Sequence, residues 1–315
     1  MAIKTPFSPC DLAGIFVRYD LGTYIQSESA KQGTVQTNLF VQTTQGKYVF
    51  RYYENRSKES VLFESHLLEY LTMHRYPCPT PIKNREGAYV GMYHHKPYMI
   101  FKFLEGRHLD CPSPYQQQQL IRQIAVLQKL TENYHSPYML YRWNYDVDLC
   151  LALAEEKATK ANTKNTDQKL VWLAHQLTRL DLPSLLPKSI CHCDLHFSNI
   201  LFQADEFAAL IDFDDANYTF PQFDLVGVME YWAWPHQTEQ LNMTQARNIV
   251  QEYMKYRPLT IVEREHLYDV YKLSILIDCV WFFSRGTVDD FYEKRKIDFL
   301  TDLGRQQFFA QIFSN

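Results

Sequence analysis

The stretch Ile190–Phe202, ICHCDLHFSNILF, places two cysteines, two histidines and an aspartate within six consecutive positions. Zinc is the first chemistry such a run suggests. Cys191, His192 and Cys193 are consecutive, however, and in an extended segment successive side chains point in opposite directions, so His192 turns away from both thiols. Structural zinc sites space paired ligands by two to four residues and draw a second pair from elsewhere in the chain. The other cysteines, at 10, 78, 111, 150 and 279, stand singly and offer no second pair. The spacing therefore argues against zinc.

The same letters also read H-x-D-x-x-x-x-N, with His192, Asp194 and Asn199. Thirteen residues after Asn199, Asp212 closes the apolar run FAALID. Phosphoryl transfer from ATP needs this combination: a carboxylate beside the attacking hydroxyl, and further oxygen donors to hold magnesium against the triphosphate. Magnesium prefers hard oxygen ligands and keeps several of its waters, which an Asn–Asp pair permits. NILFQ and FAALIDF read as short strands joined by a turn at Ala204-Asp205-Glu206, a hairpin that brings Asn199 and Asp212 together. Asp194 and Asp212 lie in apolar surroundings, where an unpaired charge is costly, which favours a role over a surface turn. The expected convergence of Asp194, Asn199 and Asp212 is the premise of the functional reading.

Outward from this motif the chain changes character near Gly106. Residues 23–105 read as strands with one helix: VQTNLFVQTTQGKYVFRYYE as two strands with a tight turn at Gly46, ESVLFESHLLEYLTMH as a helix stopped by Pro77, Pro79 and Pro81, a short hairpin around NREGAYVG, and a strand in PYMIFKFLEG. From Ser113 and Pro114 onward the patterns are helical, over 114–134 and near 145–158, 166–180, 244–256 and 260–285, apart from the strands of 190–213. The expected fold class is α+β: an N-terminal antiparallel sheet lobe over 1–105 and a larger, mainly helical C-terminal lobe over 106–315 that carries the catalytic loop and the substrate site.

Composition narrows the function classes. Among 315 residues, 32 basic side chains meet 36 acidic ones, a net charge of −4 that gives no global reason to expect nucleic acid. The opening residues lack a signal-peptide pattern, and YKLSILIDCVWFFSR is too short and too charged to span a bilayer. Seven mostly scattered cysteines suit a reducing compartment, so a cytoplasmic protein without membrane insertion is expected.

The motifs resemble those of the aminoglycoside phosphotransferase and choline kinase superfamily, relatives of the protein kinases, over about residues 20–235. TNLFVQTTQGKYVFRYYE, HLLEYLTMHRYPCPTPIKNREGAYVG and PYMIFKFLEGRHL are similar to the first hairpin, the helix with its proline turn, and the hinge of the homoserine kinase branch. The resemblance implies a protein-kinase-like two-lobed fold and an ATP- and magnesium-dependent kinase of a small-molecule hydroxyl, with homoserine the favoured acceptor. It implies Asp194 as base, Asn199 and Asp212 as magnesium ligands, and His192 as a brace of the loop. Arg51 takes the place of the phosphate-binding lysine, paired with Glu64, and the backbone of Phe101 to Phe103 contacts adenine. Asp214 assists the metal or the loop. Gly33 stands alone in the nucleotide loop ESAKQGTVQTN, which lacks G-x-G-x-x-G. Asp214 and Asp215 follow Asp212 where homoserine kinases have aromatic residues.

Other readings stay open at this point. Arg51 and Glu64 form either a phosphate clamp or an ordinary ion pair. Tyr231, Trp232 and Trp234 form either an aromatic cage for a quaternary ammonium, as in a choline or ethanolamine kinase, or part of the core. Asp212, Asp214, Asp215, Asp289 and Asp290 would suit an aminoglycoside. A silent pseudokinase that only binds nucleotide is the rival from another class, opposed by the intact Asp194, Asn199 and Asp212.

Overall fold

The turn at Gly46 closes a hairpin between β2 (Thr37–Thr43) and β3 (Gly46–Tyr52), in register from Thr37↔Tyr52 to Thr43↔Gly46. The structure is a computed structural model that describes residues 4–30, 35–234, 240–291 and 293–313. With β1 (Tyr24–Ser29), β4 (Gly91–Tyr93) and β5 (Lys96–Lys102), the hairpin forms a five-stranded antiparallel sheet in the order β1-β2-β3-β5-β4. β2 alternates buried Leu39 and Val41 with half-buried neighbours, the period of a sheet with one covered face.

Two details of this region differ from the sequence expectation. A second helix, α1 (Pro9–Phe16), precedes the sheet and lays Leu12, Ile15 and Phe16 into a core with Leu39, Val41, Phe50, Tyr98 and Ile100. Its start is specified locally: the Ser8 side chain accepts from Asp11 N–H while Asp11 accepts from Ser8, and Pro9 opens the first turn. The hairpin expected around NREGAYVG instead turns at His94 and His95, between β4 and β5. Both have positive φ, 45° and 65°, the requirement of a two-residue turn that matches strand twist. NREGA is a loop held by Asn84, whose Oδ1 accepts from Glu86 and Ala88 N–H.

The chain divides into two compact units, each built from separated segments. The sheet unit comprises residues 1–116, 135–142 and 196–215. Besides the sheet it holds α2 (Lys58–Met73), capped by Ser57, and the hairpin of β7 (Ile200–Gln203) and β8 (Glu206–Leu210) that was expected around Ala204.

The helical unit comprises residues 117–134, 143–195 and 216–315. It contains most of α3 (Pro114–Leu130), then α4 (Val147–Ala161), α5 (Lys164–Leu177), β6 (Ser189–Cys191) paired with β9 (Asn217–Thr219), α6 (Gln222–Trp232), α7 (Met243–Met254), α8 (Ile261–Glu265), α9 (Leu267–Trp281), α10 (Lys294–Leu303) and α11 (Arg305–Phe313). The pattern over 260–285 is thus two helices. α9 is the hub, packed by α4, α5, α6, α8, α10 and α11. It buries all of its residues except Ser274, Asp278 and Trp281.

Candidate functional site

The candidate residues fall in both units. In the sheet unit, the β7–β8 hairpin does what the sequence requires of it. Ile200 pairs with Leu210, and Ile211 N–H donates to the Asn199 carbonyl at 2.8 Å, so Asn199 and Asp212 flank the open end of one ladder. Asp212 has φ of 68°, a left-handed conformation uncommon outside glycine, and its side chain stays 30% exposed. Non-glycine residues held in this way cluster at functional sites.

Arg51 donates to Asp212 Oδ1 at 2.5 Å. The expected Arg51–Glu64 ion pair is therefore replaced by Arg51–Asp212, while Glu64, fully buried on α2, accepts from the Tyr53 hydroxyl at 2.9 Å. Register explains the substitution in part: Arg51 leaves β3 beside Tyr53, over whose ring its guanidinium lies at 5.3 Å, and Tyr53 takes the Glu64 oxygen. Burial opposes the Arg51 charge, but Asp212, Tyr53, Glu64 and Asp214 more than offset it and hold its pKa well above the usual value. Burial also pushes the Glu64 carboxyl up, against the pull of Arg51. Arg51 is only 8% exposed, and its Nε has no hydrogen-bond partner among the described residues.

Asp214 is held on both carboxylate oxygens in this arrangement. Arg56 Nε reaches its Oδ1 at 2.9 Å and Gln36 reaches Oδ2 at 2.7 Å, while Arg56 also bridges to Asp215 at 2.6 Å. Arg142 binds Ser60 Oγ at 3.0 Å and the carbonyls of Phe213 and Asp214. Burial would raise the Asp214 pKa, yet Arg51, Arg56 and Arg142 together keep it lowered, so the carboxylate stays charged. Gln36, Arg56 and Arg142 were not singled out in the sequence; each meets Asp214 or its flanks from at least 70 residues away. The donor set at Asn199 and Asp212 fits magnesium: hard oxygens, adjacent across a hairpin, one of them partly open to solvent.

Elsewhere in this unit, Phe101 sits on β5 opposite Val49, and Phe103 N–H donates to the Lys47 carbonyl at 3.4 Å. The Phe103 ring meets Phe40 at 5.6 Å and lies under Lys47. Gly33 lies outside the described residues.

In the helical unit, Asp194 is exposed and its amide donates to His192 Nδ1 at 3.3 Å, with His192 wholly buried. Asp224, in the first turn of α6, fixes the approach to it. Its carboxylate accepts from His192 N–H at 2.9 Å, Cys193 N–H at 3.0 Å and Gln128 Nε2 at 3.3 Å. Burial pushes the Asp224 carboxyl up, while His192 and the two amides oppose the shift. Cys193 takes φ of 62°, and Asn217 Nδ2 donates to its Sγ at 3.2 Å. Cys191 Sγ is buried and donates to the Phe220 carbonyl at 3.2 Å. Asp224 went unrecognised in the sequence, although FDLVG places an acid in an apolar segment. At the start of the 196–215 segment of the sheet unit, His196 Nδ1 meets Ser198 Oγ at 2.7 Å and accepts from Ser198 N–H, a local cap.

Of the three aromatic residues left open between cage and core, Tyr231 and Trp232 are half-buried and Trp234 is buried. Trp234 is 2% exposed and packs edge-on against Phe299 at 5.4 Å, which makes it core. Among the described residues, no helix is long and apolar enough to cross a membrane.

An antiparallel sheet unit with an Arg–Asp pair, a hairpin-linked Asn and Asp, and a braced aspartate loop define a phosphotransferase that acts on the hydroxyl of a small molecule. The phosphotransferase enzyme family profile matches residues 28–259, and the chain belongs to that family. It is similar to a homoserine kinase of Parvibaculum lavamentivorans, 30% identical over 84% of this chain and 81% of the relative, and to one of Bartonella henselae, 28% identical over 84% and 82%. Its fold resembles an amicoumacin kinase, with a TM-score of 0.66 at 16% identity over 95% of this chain and 96% of the other.

Proposed function

We propose that the chain is an ATP- and magnesium-dependent homoserine kinase, with Asp194 as the carboxylate that orients the acceptor hydroxyl and takes its proton. The observation that carries this reading is the Asn199–Asp212 hairpin with Arg51 held on Asp212, because a phosphate-bearing substrate calls for a cation and two hard oxygen donors in one place. The homoserine kinase relatives narrow the acceptor.

In this reading Asn199 and Asp212 hold magnesium, which when bound neutralises charge on the phosphates. Arg51, buried and with an unused Nε–H, has a donor to offer a phosphate oxygen. Glu64 acts on it through the local field rather than by direct pairing. The backbone of Phe101 to Phe103 and the Gly33 loop complete the nucleotide site. Asp214, tied to Arg56 and Gln36, fixes the loop after Asp212. His192 and Asp224 hold the backbone that presents Asp194. Burial of Trp234 removes one wall of the choline cage and weakens that alternative.

The test is ADP release with ATP and magnesium against homoserine, choline, ethanolamine, methylthioribose and several aminoglycosides. Homoserine is expected to turn over with the highest kcat/KM. Turnover of another compound with homoserine ignored would overturn the substrate assignment, and no turnover with any would favour the pseudokinase.

A further inference from the structure

Gln36, the residue before β2, is 2% exposed, and both ends of its side-chain amide are committed. Its Oε1 accepts from Glu54 N–H at 2.7 Å, while its Nε2 donates to Asn55 Oδ1 at 2.9 Å and to Asp214 Oδ2 at 2.7 Å. Chemistry fixes the orientation. Turned over, the amide would set its NH2 against the Glu54 N–H and its oxygen against the Asp214 carboxylate. Glutamate has the same shape and would keep the acceptor, but it would lose the donor.

The two ends of this bridge have different anchors. Glu54 follows β3, and its buried carboxylate accepts from Thr5 N–H at 2.6 Å, Thr5 Oγ1 at 3.0 Å, Thr37 Oγ1 at 2.7 Å and Lys96 Nζ at 2.8 Å. That end is therefore pinned to the sheet. Arg51 stands three residues before Glu54, and across the ladder it pairs with Asn38, two residues after Gln36. At the other end, Asp214 stands two residues after Asp212. Arg56 holds the Asp214 carboxylate and Arg142 its carbonyl, and Arg142 also binds Ser60, so both tie Asp214 to the start of α2. Gln36 ties it to the strands.

Arg51 and Asp212 are thus joined twice, directly by their ion pair and indirectly through Gln36 and Asp214. The direct contact is a weak ruler, because Asp212 is 30% exposed and a half-open ion pair stabilises little on its own. The indirect link is the stiffer one. Its amide-to-carboxylate bond is charge-assisted and buried, and breaking it leaves a buried oxygen short of a donor.

We propose that Gln36 is a positioning residue of the phosphate site: by joining the end of β3 to Asp214, it sets the separation of Arg51 from Asp212. This rests on the reading of the chain as an ATP- and magnesium-dependent kinase and adds the residue that keeps the phosphate-binding cation and the metal-binding oxygen in step. Gln36 touches no reacting atom; it acts through Asp214 and the strand end.

The experiment exchanges the two ends of the bridge. Gln36→Glu sets a second carboxylate against Asp214, and adding Asp214→Asn puts a donor back opposite an acceptor at the same net charge. In Gln36→Glu, kcat is expected to fall on the order of 100-fold, the cost of a displacement of about 1 Å at a reacting group, with KM for the acceptor unchanged. ADP titrated in EDTA should bind as in the wild type, while the tightening of ADP binding by magnesium is lost. The double variant should recover kcat and the magnesium effect to within about ten-fold of the wild type, as coupled neighbours do. An amide with a merely structural role would lower the melting temperature and leave both quantities alone. A folded Gln36→Glu with wild-type kcat and magnesium effect therefore overturns the proposal, as does a double variant no better than the single one. Should Gln36→Glu not fold, the double variant decides: magnesium-tightened ADP binding supports the bridge, and its loss, or failure to fold, overturns it. A wild type with neither turnover of any acceptor nor magnesium-tightened ADP binding would instead remove the kinase reading, and the proposal with it.

Discussion

Asp224→Asn isolates the brace beneath Asp194. The two Asp224 oxygens accept from consecutive amides, His192 at 2.9 Å and Cys193 at 3.0 Å, in a site that is 1% exposed. Asparagine keeps the shape but replaces one acceptor oxygen with an NH2 group that confronts an N–H. One buried amide then loses its partner, a cost of about 1–3 kcal/mol. For a unit of this size each kcal/mol moves the melting temperature by about 2–4 °C, so a fall of about 2–12 °C is expected. Cys193, with φ of 62°, has less to hold it there once the amide is released, and Asp194 follows it in the chain. A displacement of about 1 Å at a reacting group costs on the order of 100-fold in rate, so kcat should fall by about that factor while ADP affinity is kept. Thermal melting, coupled ADP release and ADP titration measure the three quantities. A variant with wild-type kcat would refute the claim that Asp224 positions the catalytic loop, whatever its melting temperature.

Three further outcomes are expected. Asp194→Asn should lower kcat by about a thousand-fold with ATP binding retained, the size of a lost general base; unchanged turnover would remove Asp194 from the mechanism. Glu64 has its pKa raised from 4.5 to about 7 by burial, so the folded state holds a proton that the unfolded state releases, and stability declines as pH rises from about 4.5 to about 7. Glu64→Gln should flatten that part of the profile, and parallel melting curves for the two proteins across this range would contradict it. Trp234→Ala should remove about 3–5 kcal/mol of core packing, read as a melting temperature lower by about 10 °C, whereas a raised KM without loss of stability would return Trp234 to substrate contact.

The pieces legible in the sequence are those whose partners lie close along the chain. Asn199 and Asp212 could be paired because a short hairpin joins them, and the strands either side of Gly46 declare their own turn. α1 was equally legible, since Ser8, Pro9 and Asp11 spell out a helix start, but eight residues carry little periodicity to draw attention to it. The His94–His95 turn carries no Asn-Gly or Asp-Gly signature, so only the backbone reveals it. Asp224, Arg56 and Arg142 bind groups 31 to 159 residues away, distances over which periodicity has nothing to say. The Arg51–Glu64 pairing was inferred from resemblance and gave way to Asp212.

The sheet unit is assembled from three pieces of chain, the last ending at residue 215, and this has a consequence for biosynthesis. Arg51 is separated from Asp212 by 161 residues, so at 5–20 residues per second about 8–32 s pass between their emergence from the ribosome. Throughout that interval the nascent strand β3 carries a guanidinium whose countercharge has not yet been made. The five strands are all made by residue 102, but this ion pair closes only after two-thirds of translation, so a chain stalled before residue 212 would carry a sheet whose Arg51 lacks its partner.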